Sequence, residues 1–140
     1  MLFRSKAAPC ISESLQQLVI RWGTIDDSLH TVEQYTMNSK GEIFIYKGPS
    51  VEDLRGQTPQ EVYLTHIDPE MYCQELSSVN STFLKTQALN VRGTKARYIE
   101  RYNPSTDVFL RAVWNPDIKT FQSRDMREEY DRLMELVNSK

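Results

Sequence analysis

Residues 96–102, ARYIERY, are rich in strand-forming residues, and residues 108–114, VFLRAVW, form the most apolar run of the chain. Between them lies Asn103-Pro104-Ser105-Thr106. Pro presets φ there, and Asn and Ser can hydrogen-bond their own backbone, so the two runs read as a hairpin. With those four residues as the loop, Ile99 is expected opposite Leu110, Arg97 opposite Ala112 and Arg101 opposite Val108, all on one side. Tyr98, Glu100, Tyr102, Phe109, Arg111 and Val113 then share the other side. The first side, joined by Trp114, is the expected helix-covered core.

The same reading gives the remaining elements. Residues 14–22, SLQQLVIRW, are read as a strand with Leu18, Ile20 and Trp22 facing in; the β-branched pair Val19 and Ile20 argues against a helix, and Gly23 is expected to end the run. Residues 30–37 and 42–47 are two more strands around Asn38-Ser39-Lys40-Gly41, a turn whose glycine supplies a left-handed residue. That turn puts Tyr35 opposite Phe44 and completes a three-stranded meander. Residues 51–67 carry a weaker pattern: one helical turn before Gly56, then a short strand or an extended connector.

Asp68-Pro69 is the clearest local signal, with a carboxylate to accept from unpaired N–H groups and a proline at the first helical position. The helix it opens carries Tyr72, Leu76, Val79 and Phe83 on one stripe and is expected to fray near Gln87. A second helix over residues 124–138 repeats Met126, Tyr130, Leu133 and Val137 at helical spacing. The fold class is therefore α+β: one domain over residues 1–140, with an antiparallel sheet of about five strands and two helices packed on one face. Residues 1–13 are expected to be a flexible lead-in.

Composition narrows the function classes. Seventeen basic against nineteen acidic residues, a net charge of −2, supply no global positive field for nucleic acid. No apolar run approaches the roughly 20 residues needed to cross a bilayer. Cys10 and Cys73 belong to no CxxC pair and are expected to be free thiols, with one long-range disulfide as the alternative, and the N-terminus lacks the apolar core of a secretory signal, which points to the cytoplasm.

The motif search returns no nucleophile elbow, no phosphate-binding glycine loop and no metal-ligand spacing, so no cofactor, metal or catalytic residue is expected. His66, within Thr65-His66-Ile67-Asp68, is the one candidate acid/base group; with Tyr63 it defines an alternative reading, a small enzyme or ligand-binding protein with its site in the 51–67 connector. Arg92, Lys95, Arg97 and Arg101, interleaved with Tyr98 and Tyr102, sketch a nucleic-acid surface, but the acidic total weighs against it. The reading adopted is a non-enzymatic protein-binding domain of inhibitor, immunity or adaptor type. It docks another protein or a second copy through Tyr98, Glu100, Tyr102, Phe109 and Arg111, because aromatic residues and arginine are the residue types enriched at interface centres.

Overall fold

In a computed structural model, which describes residues 10–86, 88–91 and 93–138, the chain forms one antiparallel sheet and two helices. The strands are β1 (Val19–Asp26), β2 (Thr31–Met37), β3 (Glu42–Pro49), β4 (Val62–His66), β5 (Lys95–Asn103) and β6 (Val108–Trp114); the helices are α1 (Pro69–Lys85) and α2 (Arg124–Asn138). The sheet has six strands in the order β4-β3-β2-β1-β5-β6, one more than expected. The addition is β4, which extends the meander by pairing along β3 across a bulge between Ile43 and Phe44.

Asp68 caps α1 as its sequence requires, its carboxylate accepting from the Met71 N–H at 2.8 Å. Both helices pack on one face of the sheet. There Leu18, Ile20, Trp22, Met37, Ile43, Ile99 and Trp114 meet Tyr72, Leu76 and Val79 of α1 and Met126, Leu133 and Val137 of α2. Burying one large apolar side chain contributes about 1.5–3 kcal/mol, so this layer carries most of the fold's stability. A smaller cluster, Ile25, Val32, Tyr46, Ala96, Tyr98 and Val113, lies on the reverse face, with Leu54 from the 51–61 connector packed on it.

Gly23 does not end β1. It sits between Gln34 of β2 and Tyr98 of β5, where an added Cβ would fall 2.2 Å from the Glu33 carbonyl oxygen. Glycine is there because neighbouring backbone approaches too closely for any side chain.

Two registers differ from expectation. In the β2–β3 hairpin Thr36 pairs with Phe44 and Tyr35 with Ile45, a slip of one residue. The cause is a wider loop, in which the Asn38 N–H donates to the Glu42 carbonyl and the Asn38 side chain accepts from the Lys40 and Glu42 N–H groups. Tyr35 therefore lies on the helix-covered face, stacked on Trp22 with ring centroids 5.7 Å apart. In the β5–β6 hairpin Ile99 pairs with Ala112 and Arg101 with Leu110, a slip of two. Asn103 stays in the strand and the turn closes through Asp107, which takes a left-handed φ of 55°. A slip of two leaves every side chain on its expected face.

The expected free thiols are paired instead: Cys10 and Cys73 form a disulfide spanning 63 positions and tie the N-terminal segment to α1. Ile11 packs on the core beside it. Of the lead-in expected over residues 1–13, residues 10–13 are held by this bond and by Ile11; residues 1–9 lie outside the described residues.

Between the helices, Glu129 is fully buried, its Oε2 accepting from Ser78 Oγ and Arg132 Nε, both at 3.2 Å. Glu75 stands near it, and burial, reinforced by the Glu129 charge, raises its carboxyl above the ordinary value near 4.5. A carboxyl raised on folding stabilises the fold fully below its unfolded pKa, and that contribution is lost as pH rises through the folded value. Glu75→Gln should therefore raise the thermal midpoint at about pH 7 and leave it unchanged at about pH 4. Paired melting curves at the two pH values test this, and a lower midpoint at neutral pH contradicts it.

Candidate functional site

Strand alternation brings all five expected site residues to the reverse face. Tyr98, Glu100 and Tyr102 project from β5 directly opposite Val113, Arg111 and Phe109 of β6. The Val113 N–H and C=O point away from β5, to Leu89 and Val91, so these are non-hydrogen-bonded pairs, in which facing side chains approach most closely.

The five residues sit at different depths. Tyr98 is 2% exposed, and its hydroxyl donates to Gln34 Oε1 at 2.5 Å, arching over Gly23. Burial, with the nearby Glu100 charge, raises the phenol far above its ordinary range, so it stays a neutral donor. Glu100 is half-buried and takes Arg111 Nε at 3.3 Å on one carboxylate oxygen and Arg21 at 4.0 Å on the other. Burial raises its carboxyl while Arg111 and Arg21 pull it back. The Arg111 guanidinium also stands 5.1 Å over the Tyr98 ring, an arrangement that fixes an otherwise mobile side chain.

Further along, Phe109 is 51% exposed and meets the Tyr102 ring edge-on at 6.0 Å. Of the five, Tyr102, Phe109 and Arg111 reach furthest into solvent. Tyr98 belongs to the second core layer. Ser50, Thr58, Pro59 and Glu61 of the connector form one wall of a cavity of about 470 Å³ whose floor holds Arg21, Gln34, Tyr98, Glu100 and Arg111.

Arg21 and Gln34 were absent from the sequence reading. Arg21 was recoverable, since facing Ile20 and Trp22 inward turns it outward. Gln34 comes to this face through its pairing with Gly23, which its own polar character did not signal.

The other candidates are dispersed. His66 is exposed on β4 with Nδ1 2.8 Å from the Tyr63 hydroxyl, and it lines neither this cavity nor the one beside β6 described below. Asp68 is engaged as the α1 cap. Arg97 and Arg101 lie on the helix-covered face, with Arg97 5.0 Å over the Tyr130 ring, while Tyr98 and Tyr102 point the opposite way. Strand alternation thus separates the basic residues from the aromatic ones; Arg92 lies outside the described residues.

Among the described residues, no group of three or more His, Cys, Asp or Glu side chains could hold a metal ion, and no helix is long and apolar enough to cross a membrane. The sequence matches no protein-family model, and no curated protein is significantly similar to it.

Proposed function

We propose that this chain is a non-enzymatic binding domain, of inhibitor, immunity or adaptor type, that docks another protein on the open end of the reverse sheet face. The observation that carries the reading is Arg111, held by Glu100 and the Tyr98 ring beside the exposed Tyr102–Phe109 pair. An arginine whose conformation is fixed before binding loses less side-chain entropy on docking, and two neighbouring rings offer apolar area with little freedom to lose. Tyr98 and Glu100 position this surface from beneath; Tyr102, Phe109 and Arg111 make the contact.

The test is capture from native lysate by the full chain against Phe109→Ala and Arg111→Ala. Each variant should recover about tenfold less of the captured protein, the equivalent of roughly 1.4 kcal/mol, with the melting midpoint nearly unmoved. Equal recovery by all three chains overturns the proposal. A disulfide persists in an oxidising compartment and is reduced in the cytosol, so the Cys10–Cys73 bond speaks against the cytoplasmic placement that the N-terminal sequence suggested.

A further inference from the structure

The outer edge of β6 is half covered. At its C-terminal end the chain adds a short strand to itself: Asn90 bridges Val113 in parallel, with the Val113 N–H donating to the Leu89 carbonyl and the Val91 N–H donating to the Val113 carbonyl, each at 3.0 Å. Backbone groups two residues apart in a strand point the same way, so the N–H and C=O of Arg111 and Phe109 also face outward. No backbone partner meets them among the described residues. This edge is apolar as well, with Val108 41%, Phe109 51% and Leu110 38% exposed. Long apolar edges are ordinarily blunted by charge, proline or cover, and this one has only Arg111.

Beside the open edge, under the C-terminal end of α1, lies a cavity of about 540 Å³ lined mainly by Phe83, Leu84, Leu89, Leu110, Ala112 and Met126. Leu84 at its mouth is 88% exposed. In a strand laid along β6, alternate side chains would fall on the Leu110 and Ala112 side of the sheet, which is the cavity side.

We propose that the β6 edge over residues 108–112 takes an extended peptide from another protein by strand addition, with one bulky aliphatic or aromatic side chain entering the cavity below α1. Unmet backbone donors and acceptors call for an extended backbone, and the apolar lining calls for an apolar side chain at one position of it. A second copy of this chain fits poorly. With two β6 strands antiparallel about Leu110, Asp107 of the second would lie opposite Val113, the place Asn90 already holds. The occupant is therefore short, about five residues at roughly 3.3 Å each. The contact is through backbone and cavity, with Arg111, a residue of the side-chain face described above, also on the cavity's rim.

The test uses a phage-displayed library of random decapeptides selected on the full oxidised chain, with the selected peptides resynthesised and their affinity measured by fluorescence polarisation. Peptides with an apolar residue at one fixed position are expected. N-methylation of the peptide backbone at alternate residues should weaken binding by about tenfold or more, because each methyl removes a donor and blocks the edge. Bound peptide should slow hydrogen exchange at the Phe109 and Arg111 amides. Selection of no binding peptide, unchanged affinity after N-methylation, or unprotected Phe109 and Arg111 amides each overturns strand addition. Loss of partner capture in Phe109→Ala together with N-methyl-insensitive peptides would leave the face reading standing and remove this one; the opposite pair of results would do the reverse.

Discussion

Reducing the Cys10–Cys73 disulfide will lower the free energy of unfolding by about 4 kcal/mol, the largest change expected from any single bond in this protein. The magnitude follows from chain entropy: a cross-link between residues 63 positions apart removes conformations from the unfolded chain roughly as the logarithm of the loop it closes. The bond anchors the start of the described chain, where Ile11 packs on the core and Cys10 is exposed, to a half-buried position on α1. Urea unfolding with and without a phosphine reductant measures the difference. A native stability of 5–15 kcal/mol makes a loss of this size easy to see. Identical curves, with two thiols titrating in the native protein before reductant is added, would show that the bond does not form.

Tyr98→Ala will destabilise the fold by about 3–5 kcal/mol, whereas Phe109→Ala will cost about 1 kcal/mol or less, although both residues share one face of one hairpin. Tyr98 is almost fully buried against the second core layer, and truncating it opens a void and leaves Gln34 Oε1 without its donor. Phe109 loses an exposed surface and one edge-on contact with Tyr102. Tyr98→Phe separates the two parts of the larger effect, since it keeps the ring and removes only the hydroxyl. Its expected cost is about 1–3 kcal/mol, that of an unsatisfied buried acceptor. Denaturant midpoints for the three variants test the ranking; Phe109→Ala as damaging as Tyr98→Ala would reverse the division of the face into an inner and an outer part.

That division was only partly legible in the sequence. Alternation along residues 96–102 and 108–114 put Tyr98, Glu100, Tyr102, Phe109 and Arg111 on one side, and the two-residue register slip did not disturb it because strand faces repeat every second residue. Depth was not encoded locally: whether a tyrosine on that side is surface or core depends on where the 51–61 connector folds, and its pattern is weak.

The β2–β3 slip of one residue shows the opposite case. A loop one residue wider than the turn residues implied pairs Tyr35 with Ile45 instead of Phe44, so Tyr35 joins the main core while its neighbour Gln34 lies under Tyr98. Gly23 was read by its intrinsic preference, although its place is set by Glu33 and Gln34 on a neighbouring strand. The sequence left β4 undecided between a short strand and a connector because it is a short edge strand with exposed Val62 and Tyr63, defined by pairing with β3 and not by its own periodicity. The disulfide joins residues that only the fold brings together, and spacing carried no sign of it. Helices fared best because Asp68 and Pro69 act on their own backbone, a contact of short range.

The docking reading is tested most directly by site-specific photo-crosslinking of the full chain in native lysate, with benzoylphenylalanine in place of Phe109 in one sample and in place of Tyr63 in another. Both positions are exposed aromatics, on β6 and β4 at opposite edges of the same sheet. The account predicts a discrete protein adduct at position 109 that competes away with unlabelled wild-type chain, and none at position 63. An adduct at position 63 alone, or an uncompeted smear at both, would contradict it.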